Sequence, residues 1–240
     1  MKKVAFICDI HLDEKNPVRY GVDSRKNWER ILKDIRMRTI DEVIIGGDIG
    51  AASAYEWFFN TLKGFDIKVL LGNHDAYSEV SNYYSRGQNT ESLFYSEKNA
   101  SHKLIYLDSS SKKIEEDQLH WLANEIKTAS KIVIFTHHPI LKVATPIDRK
   151  HPLLNRDVLI ELLLDSEKDI TIFCGHYHMN HEEKFKNIRQ IITHSSSFQV
   201  LKKADAIEVD ASEFGYRMIR FEKGNIESDT ITLLKDSTAE

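Results

Sequence analysis

A chain of 240 residues with 41% hydrophobic content can bury a sizeable core and falls within the length of one α/β domain, so residues 1–240 are expected to form a single domain. Its formal net charge of −4 supplies no global positive field, which sets long nucleic acid aside as the default partner. No apolar stretch approaches membrane-spanning length, and the run behind Lys2 and Lys3 ends at Asp9 without a small-residue cleavage site, so neither a membrane partner nor a signal peptide is expected.

Val4-Ala5-Phe6-Ile7-Cys8 reads as a short buried strand that ends at Asp9-Ile10-His11. A polar loop runs from Asp13 to Ser24, after which Trp28, Ile31, Leu32 and Ile35 recur at helical spacing. A second strand, Glu42 to Ile45, leads into Gly46-Gly47-Asp48. Tyr55, Phe58, Phe59 and Leu62 mark another helix, and Ile67 to Leu71 a third strand that stops at Gly72-Asn73-His74-Asp75. The segment Tyr77 to Gln88 has no clear period and is expected as a loop or short helix over the site. Its residues Tyr77, Tyr83 and Tyr84 either stack on a base or pack locally.

Leu93-Phe94-Tyr95 and His102 to Leu107 read as neighbouring antiparallel strands, and Asp117 to Lys127 and Leu159 to Leu164 as helices. Between these, Ile132 to Thr136 runs into His137-His138-Pro139, and Ile170 to Cys174 into Gly175-His176-Tyr177-His178. Ile188 to Thr193, Ala206 to Val209, Tyr216 to Phe221 and Thr230 to Leu233 are expected as strands. Strand and helix alternate first and strands dominate later, the pattern of two packed sheets with helices outside. The two cysteines, Cys8 and Cys174, each close a strand; buried thiols of this kind suit a reducing compartment, and the cytoplasm is the expected address.

In open α/β sheets, ligands gather past the carboxyl ends of the strands. Five strand ends here deliver Asp9, His11, Asp48, Asn73, His137, His176 and His178. Such oxygen and nitrogen donors suit Zn, Mn or Fe rather than copper(I), and seven exceed what one tetrahedral ion takes, so two ions sharing a carboxylate are the natural fit. Alternation along a strand would project Asp9 with His11, and His176 with His178, from one side as clips. A solitary histidine is more often structural than a ligand, so His102, His120, His151, His181 and His194 receive no metal role. Asn73 alone would read as a turn former; beside His74 and Asp75 it reads as a ligand.

Asp9-x-His11, Gly47-Asp48, Gly72-Asn73-His74-Asp75, His137 before His138-Pro139, and Gly175-His176-x-His178, in that order, resemble the signature of the calcineurin-like metallophosphoesterases. The resemblance implies an α/β fold, a four-layer αββα sandwich of two mixed β-sheets flanked by helices, and two divalent metal ions (Mn, Fe or Zn). It further implies Asp9, His11, Asp48 and His178 at one metal, Asp48, Asn73, His137 and His176 at the other, and His74 as the catalytic histidine that binds neither. Within the family the chain is most similar to the bacterial class III 3′,5′-cyclic-nucleotide phosphodiesterases, through its length, Tyr20-Gly21-Val22-Asp23, His137-His138-Pro139 and a strand-rich C-terminus. That branch often carries a second proline where this chain has Ile140, so a different outer pocket wall is expected.

Two divalent cations against the carboxylates of Asp9 and Asp48 leave a net positive cluster that attracts a phosphoester anion. The expected function is hydrolysis of a phosphodiester, a small cyclic nucleotide first. On this expectation the two ions would supply a hydroxide for attack on phosphorus and, with Asn73, would stabilise the equatorial oxygens, while His74, kept protonated by Asp75 or another carboxylate, would act as general acid. His138 either orients a ligand or contacts the substrate. The alternatives are a nuclease or phosphomonoesterase on the same dinuclear site, or a non-catalytic binding scaffold, against which the intact ligand set counts.

Overall fold

The computed structural model describes residues 2–86, 91–99, 102–128, 130–202, 205–222 and 224–235. The first half runs β1 (Lys2–Ile7), α1 (Lys15–Arg19), α2 (Ser24–Met37), β2 (Glu42–Gly46), α3 (Tyr55–Thr61), β3 (Asp66–Leu70) and α4 (Tyr77–Val80). Next come β4 (Tyr95–Asn99), β5 (His102–Leu107), α5 (Glu116–Glu125), β6 (Lys131–Thr136), α6 (Pro146–Lys150), α7 (Arg156–Asp165) and β7 (Ile170–Cys174). Strands β8 (His181–Phe185), β9 (Ile188–Ile192), β10 (Gln199–Val200), β11 (Val209–Asp210), β12 (Glu213–Glu222) and β13 (Asn225–Leu234) complete the chain.

These strands build two mixed sheets. In the first, ordered β13-β12-β1-β2-β3, the strands β1, β2 and β3 are parallel and β12 and β13 are antiparallel additions. In the second, ordered β4-β5-β6-β7-β9-β8, a parallel centre of β5, β6, β7 and β9 is flanked by antiparallel β4 and β8. Strands buried on both faces read as unbroken apolar runs, and β2 is buried along its whole length.

Aromatic side chains fill the space between the sheets. Phe6 of β1 lies 5.6 Å from Phe135 of β6, which stacks in turn on Tyr106 at 5.2 Å and Phe173 at 5.5 Å. Outside the first sheet, α2 buries Trp28, Ile31, Leu32 and Ile35, the stripe expected from spacing. Asp23 caps that helix by accepting from the Lys26 N–H at 3.0 Å, and the Trp28 indole N–H donates to Thr61 Oγ1 at 2.8 Å. Outside the second sheet, Leu122 of α5 and Leu159 and Leu163 of α7 pack on Ile105, Ile134 and Ile172. Helix, sheet, sheet, helix is the resulting order of layers, as expected.

Several short elements depart from the sequence reading. Strand β8, His181-Glu182-Glu183-Lys184-Phe185, lies at a sheet edge with both faces partly wet, so it carries no apolar signal. The strand expected over Ala206 to Val209 shrinks to Val209–Asp210 in a two-residue ribbon. The Tyr77 segment opens as α4, and Gly87 and Gln88 lie outside the described residues. Among the described residues, no helix is long and apolar enough to cross a membrane.

Removing the ring that couples the sheets should weaken the whole fold. Phe135→Ala is expected to cost about 3–5 kcal/mol in urea unfolding with an unchanged m-value, and a loss below about 1 kcal/mol would contradict this packing account.

Candidate metal centre

Strand β1 closes at Ile7 and β7 at Cys174, so Asp9, His11, His176 and His178 stand beyond the strands rather than on them. Strand alternation therefore does not aim these pairs. Left-handed backbone does: Asp9 (φ 56°), His11 (φ 51°), Asp48 (φ 54°), His176 (φ 68°) and His178 (φ 48°) all have positive φ. Non-glycine residues in this region cost roughly 1–3 kcal/mol each and persist only where the surroundings overdetermine them.

Glycines clear the space these turns need. A Cβ on Gly72 would come within 2.1 Å of Asp48 Oδ1, and one on Gly175 within 2.6 Å of Asp9 Oδ2. Gly47, at φ 90°, could not carry a Cβ without meeting the Gly72 backbone at 2.5 Å. Asp75 then braces the loops. Its carboxylate accepts from the backbone N–H of Asp48 (2.7 Å), Ile49 (3.0 Å) and Gly72 (2.9 Å) and from the Tyr55 hydroxyl (3.1 Å).

The folded sheets bring the candidate ligands to one mouth. Asp48 Oδ2 lies 3.3 Å from His137 Nε2 and 3.7 Å from His11 Nε2. Asp9 Oδ1 lies 3.5 Å from His178 Nε2 and 3.9 Å from His137 Nε2, and His11 Nε2 faces His178 Nε2 at 3.0 Å. Three groups with ion-binding spacing are found among the described residues: Asp9-His11-His178 and Asp48-His137-His176, made only of candidate ligands, and His11-Glu14-His74 beside them. The Asn73 side chain points the same way: its Oδ1 is buried without a hydrogen-bond partner, as is His137 Nε2.

Each imidazole is held by its other nitrogen. His137 Nδ1–H donates to the Gly46 carbonyl at 2.8 Å, and His178 Nδ1–H to the Phe198 carbonyl at 2.9 Å. His176 Nε2–H donates to the His151 carbonyl at 3.0 Å, and His11 Nδ1 meets Glu14 Oε2 at 3.1 Å. A carbonyl only accepts, so the proton sits on the anchored nitrogen and the lone pair of the other is left for an electrophile.

The electrostatics ask for positive charge at the centre. Burial alone would raise Asp48 and lower His137; their mutual attraction overrides both, holding Asp48 well below the carboxylate range and lifting His137 to about 10. Burial pushes His176 down to about 3 and His178 to about 4, so both stay neutral donors. The buried Asp48 carboxylate, the neutral His176 and His178 imidazoles and Asn73 Oδ1, which has no hydrogen-bond partner, fit divalent cations, and a cation beside Asp48 would take the place of the second His137 proton.

His74, whose backbone N–H donates to Asp48 Oδ1 at 2.9 Å, turns its ring toward the opening. Its carboxylate partner is Glu14, not Asp75: His74 Nδ1 lies 3.1 Å from Glu14 Oε1. That hydrogen bond, more than any other effect, pushes His74 up to about 9, and although burial opposes it, the hydrogen bonds from His11 and His74 take Glu14 down to about 2.

His138 is buried behind His176, with ring centroids 4.1 Å apart, and its Nδ1 engages Ser109 Oγ at 2.9 Å. It does not line the pocket, so of the two expected roles the geometry favours orienting His176 over touching substrate. Ile140 is also buried, and its N–H donates to Gln190 Oε1 at 2.6 Å, a bond no proline could make. The difference from the expected proline therefore lies in the core rather than in the pocket wall.

Over the cluster opens a pocket of about 220 Å³. Ile147, Phe198, Val200, Ile207 and Val209 form an apolar wall, with Tyr20 edge-on to Phe198 at 5.0 Å, and Asn16 and His151 add polar edges. Ile147 lies on α6 and His151 follows it, whereas none of the described residues of the Tyr77 segment lines the pocket: Tyr83 stacks on Phe59 at 5.3 Å and Tyr84 hydrogen-bonds Tyr95 at 3.2 Å. The local-packing reading of those tyrosines holds. Glu14, Asn16 and Phe198 escaped the sequence reading because no period or spacing marks them, the three-residue step from His11 to Glu14 being the one available clue, and Tyr20 entered it only through the family resemblance and without a place in the pocket.

Residues 2–180 match the sequence model of the calcineurin-like phosphoesterases. The chain is 25% identical over 248 residues to a probable cyclic nucleotide phosphodiesterase of Pseudoalteromonas sp. (strain SM9913), covering 96% of this chain and 94% of that one. It is 24% identical over 238 residues to a 3′,5′-cyclic adenosine monophosphate phosphodiesterase of Escherichia coli (strain K12), covering 90% and 84% respectively. In three dimensions it resembles a dimetal phosphatase from Danio rerio, with a TM-score of 0.64, 13% identity, and 97% and 98% of the two chains covered.

The backbone strain is open to direct test. In protein freed of metal by chelation, His178→Gly should be about 1 kcal/mol more stable than His178→Ala, since both lose the ring but only glycine relaxes at φ 48°. Equal stability of the two variants in thermal unfolding would contradict it.

Proposed function

The chain belongs to the calcineurin-like phosphoesterase family, hydrolases acting on phosphoric ester bonds, and from that membership we propose that it cleaves a phosphodiester of a small organic molecule, a cyclic nucleotide first. The observation that carries this reading is the gathering of donors from five loops into two adjoining groups, Asp9-His11-His178 and Asp48-His137-His176, at the floor of one pocket that His11, Asp48, Asn73, His176 and His178 line, with Asn73 Oδ1 buried and without a hydrogen bond. Asp9, His11, Asp48 and His178 would hold one divalent ion and Asp48, Asn73, His137 and His176 the other, with Asp48 shared. Such a pair lowers the pKa of water from 15.7 to about 7 and offsets charge on phosphoryl oxygens.

The chain's own residues do the rest. The anchored imidazoles keep their lone pairs directed inward, and the apolar wall excludes water and receives the organic substituent of the ester. His74 Nδ1 is engaged by Glu14, which leaves Nε2 to pass a proton to the departing oxygen.

Charge favours a diester over the alternatives. Among the described residues no lysine or arginine lines the pocket, so a monoanionic diester is better matched than a dianionic monoester or a polyphosphate. Relatives named as cyclic nucleotide phosphodiesterases support the same choice. A cytoplasmic setting accords with Cys8 and Cys174, both free and buried.

With manganese supplied, bis-(p-nitrophenyl) phosphate and cyclic AMP are expected to turn over at least tenfold faster than p-nitrophenyl phosphate, with single-stranded DNA left intact. Preference for the monoester or for DNA would sink the diester reading, and no hydrolysis of any by metal-loaded protein would favour a binding scaffold. His74→Asn should keep its metal content while kcat falls by roughly 10²-fold or more; full activity would remove His74 from the mechanism.

A further inference from the structure

We infer that Glu14 is a positioning residue of the reaction centre: one carboxylate that aligns both the metal-ligand candidate His11 and the proton-donor candidate His74. The inference rests on the phosphodiesterase reading above and deepens it. Glu14 Oε2 lies 3.1 Å from His11 Nδ1 and Oε1 lies 3.1 Å from His74 Nδ1, while the two rings stand edge to face, 4.9 Å apart at 84°. A single acceptor thus clamps two rings in different planes.

The carboxylate is not occupied elsewhere in the way its position would suggest. Glu14 sits at the N-cap of α1, yet its side chain makes no capping hydrogen bond, in contrast to Asp23 on α2. It is turned back over its own chain instead. The loop that carries it is tightly fixed. Leu12 N–H donates to the Ile49 carbonyl at 2.9 Å, Ala51 N–H to the Leu12 carbonyl at 2.8 Å, and a Cβ on Gly50 would meet Leu12 N at 2.2 Å. Asp13, at φ 57°, is gripped by Arg25 through two hydrogen bonds of 2.8 and 2.5 Å.

What this geometry does follows from acceptor chemistry. An ionised carboxylate can only accept, so both rings must present Nδ1–H to it and turn Nε2 away. For His11 that nitrogen points between His178 Nε2 at 3.0 Å and Asp48 Oδ2 at 3.7 Å, into the ligand cluster. For His74 it is the nitrogen left to serve the leaving oxygen. Glutamine at this position is nearly isosteric, but its amide accepts from one ring and must donate to the other, which forces that ring into the wrong tautomer. Shape and charge-directed alignment can therefore be separated.

The test compares Glu14→Gln, Glu14→Ala, His74→Ala and the Glu14→Gln/His74→Ala double variant, each first confirmed as folded by its melting curve. Manganese binding is measured by equilibrium dialysis, and kcat at saturating manganese on bis-(p-nitrophenyl) phosphate and on diphenyl phosphate, whose phenolate is the poorer leaving group. Both Glu14 variants and the double variant should bind manganese about 10- to 100-fold more weakly, and His74→Ala should bind like the parent. The kcat loss in Glu14→Gln should be larger on diphenyl phosphate, and the double variant should be no slower than His74→Ala, since Glu14 acts on the proton through His74. Parent-like manganese affinity and kcat in both Glu14 variants would overturn the inference while leaving the functional reading intact. A parent protein that binds no manganese would overturn both.

Discussion

Burial of the Asp9 and Asp48 carboxylates at the mouth between two sheets is the constraint on which the rest of the molecule turns. They are 0% and 2% exposed, and a carboxylate taken out of water at that depth is costly unless it is paired and hydrogen-bonded. The fold supplies part of the compensation through the backbone: the His176 N–H donates to Asp9 and the His74 N–H to Asp48. Imidazoles supply more, His137 above all. Asn73 Oδ1 and His137 Nε2 are buried without a hydrogen bond, His137 meeting Asp48 only as an ion pair, which leaves a network with the donors a divalent ion needs.

Holding that arrangement takes local structure that a protein selected for stability alone would avoid. Five of the seven candidate ligands sit in left-handed backbone, and the turns close only because Gly47, Gly72 and Gly175 leave room for carboxylates and backbone. Asp75 ties three of the crowded N–H groups to one acceptor, so its place in the motif is explained by bracing rather than by proton transfer. The strain is borne by the sheets behind it, where Phe6, Tyr106, Phe135 and Phe173 interlock. A rigid interior lets the loops stay strained, and strained loops aim the ligands.

Much of this was legible in the residue order. Each candidate ligand follows an apolar run that ends abruptly, and buried parallel strands make such runs because both faces are covered. The layers and the helical stripe of Trp28 to Ile35 could be read that way, whereas the division of the ligands between two ions came only from the family resemblance. The aim of the ligands could not, because strand alternation predicts the right pairing for Asp9 with His11 but from the wrong cause; backbone φ has no signature in side-chain pattern. The pocket wall was hidden for a different reason. Tyr20, Phe198 and Ile207 come from irregular segments remote in sequence, and which irregular segment faces a site is decided by tertiary packing. Glu14 looked like one more polar loop residue until His11 and His74 were seen on either side of it.

The account stands or falls on whether these side chains share two cations through Asp48. The most direct measurement is metal content per chain after reconstitution with manganese and removal of loose ions, determined by plasma mass spectrometry for the parent and for Asp48→Asn. The account predicts about two ions per parent chain and, because the shared carboxylate serves both, the loss of tight binding at both positions in the variant. Fewer than one ion per parent chain, or full manganese content in Asp48→Asn, would contradict it.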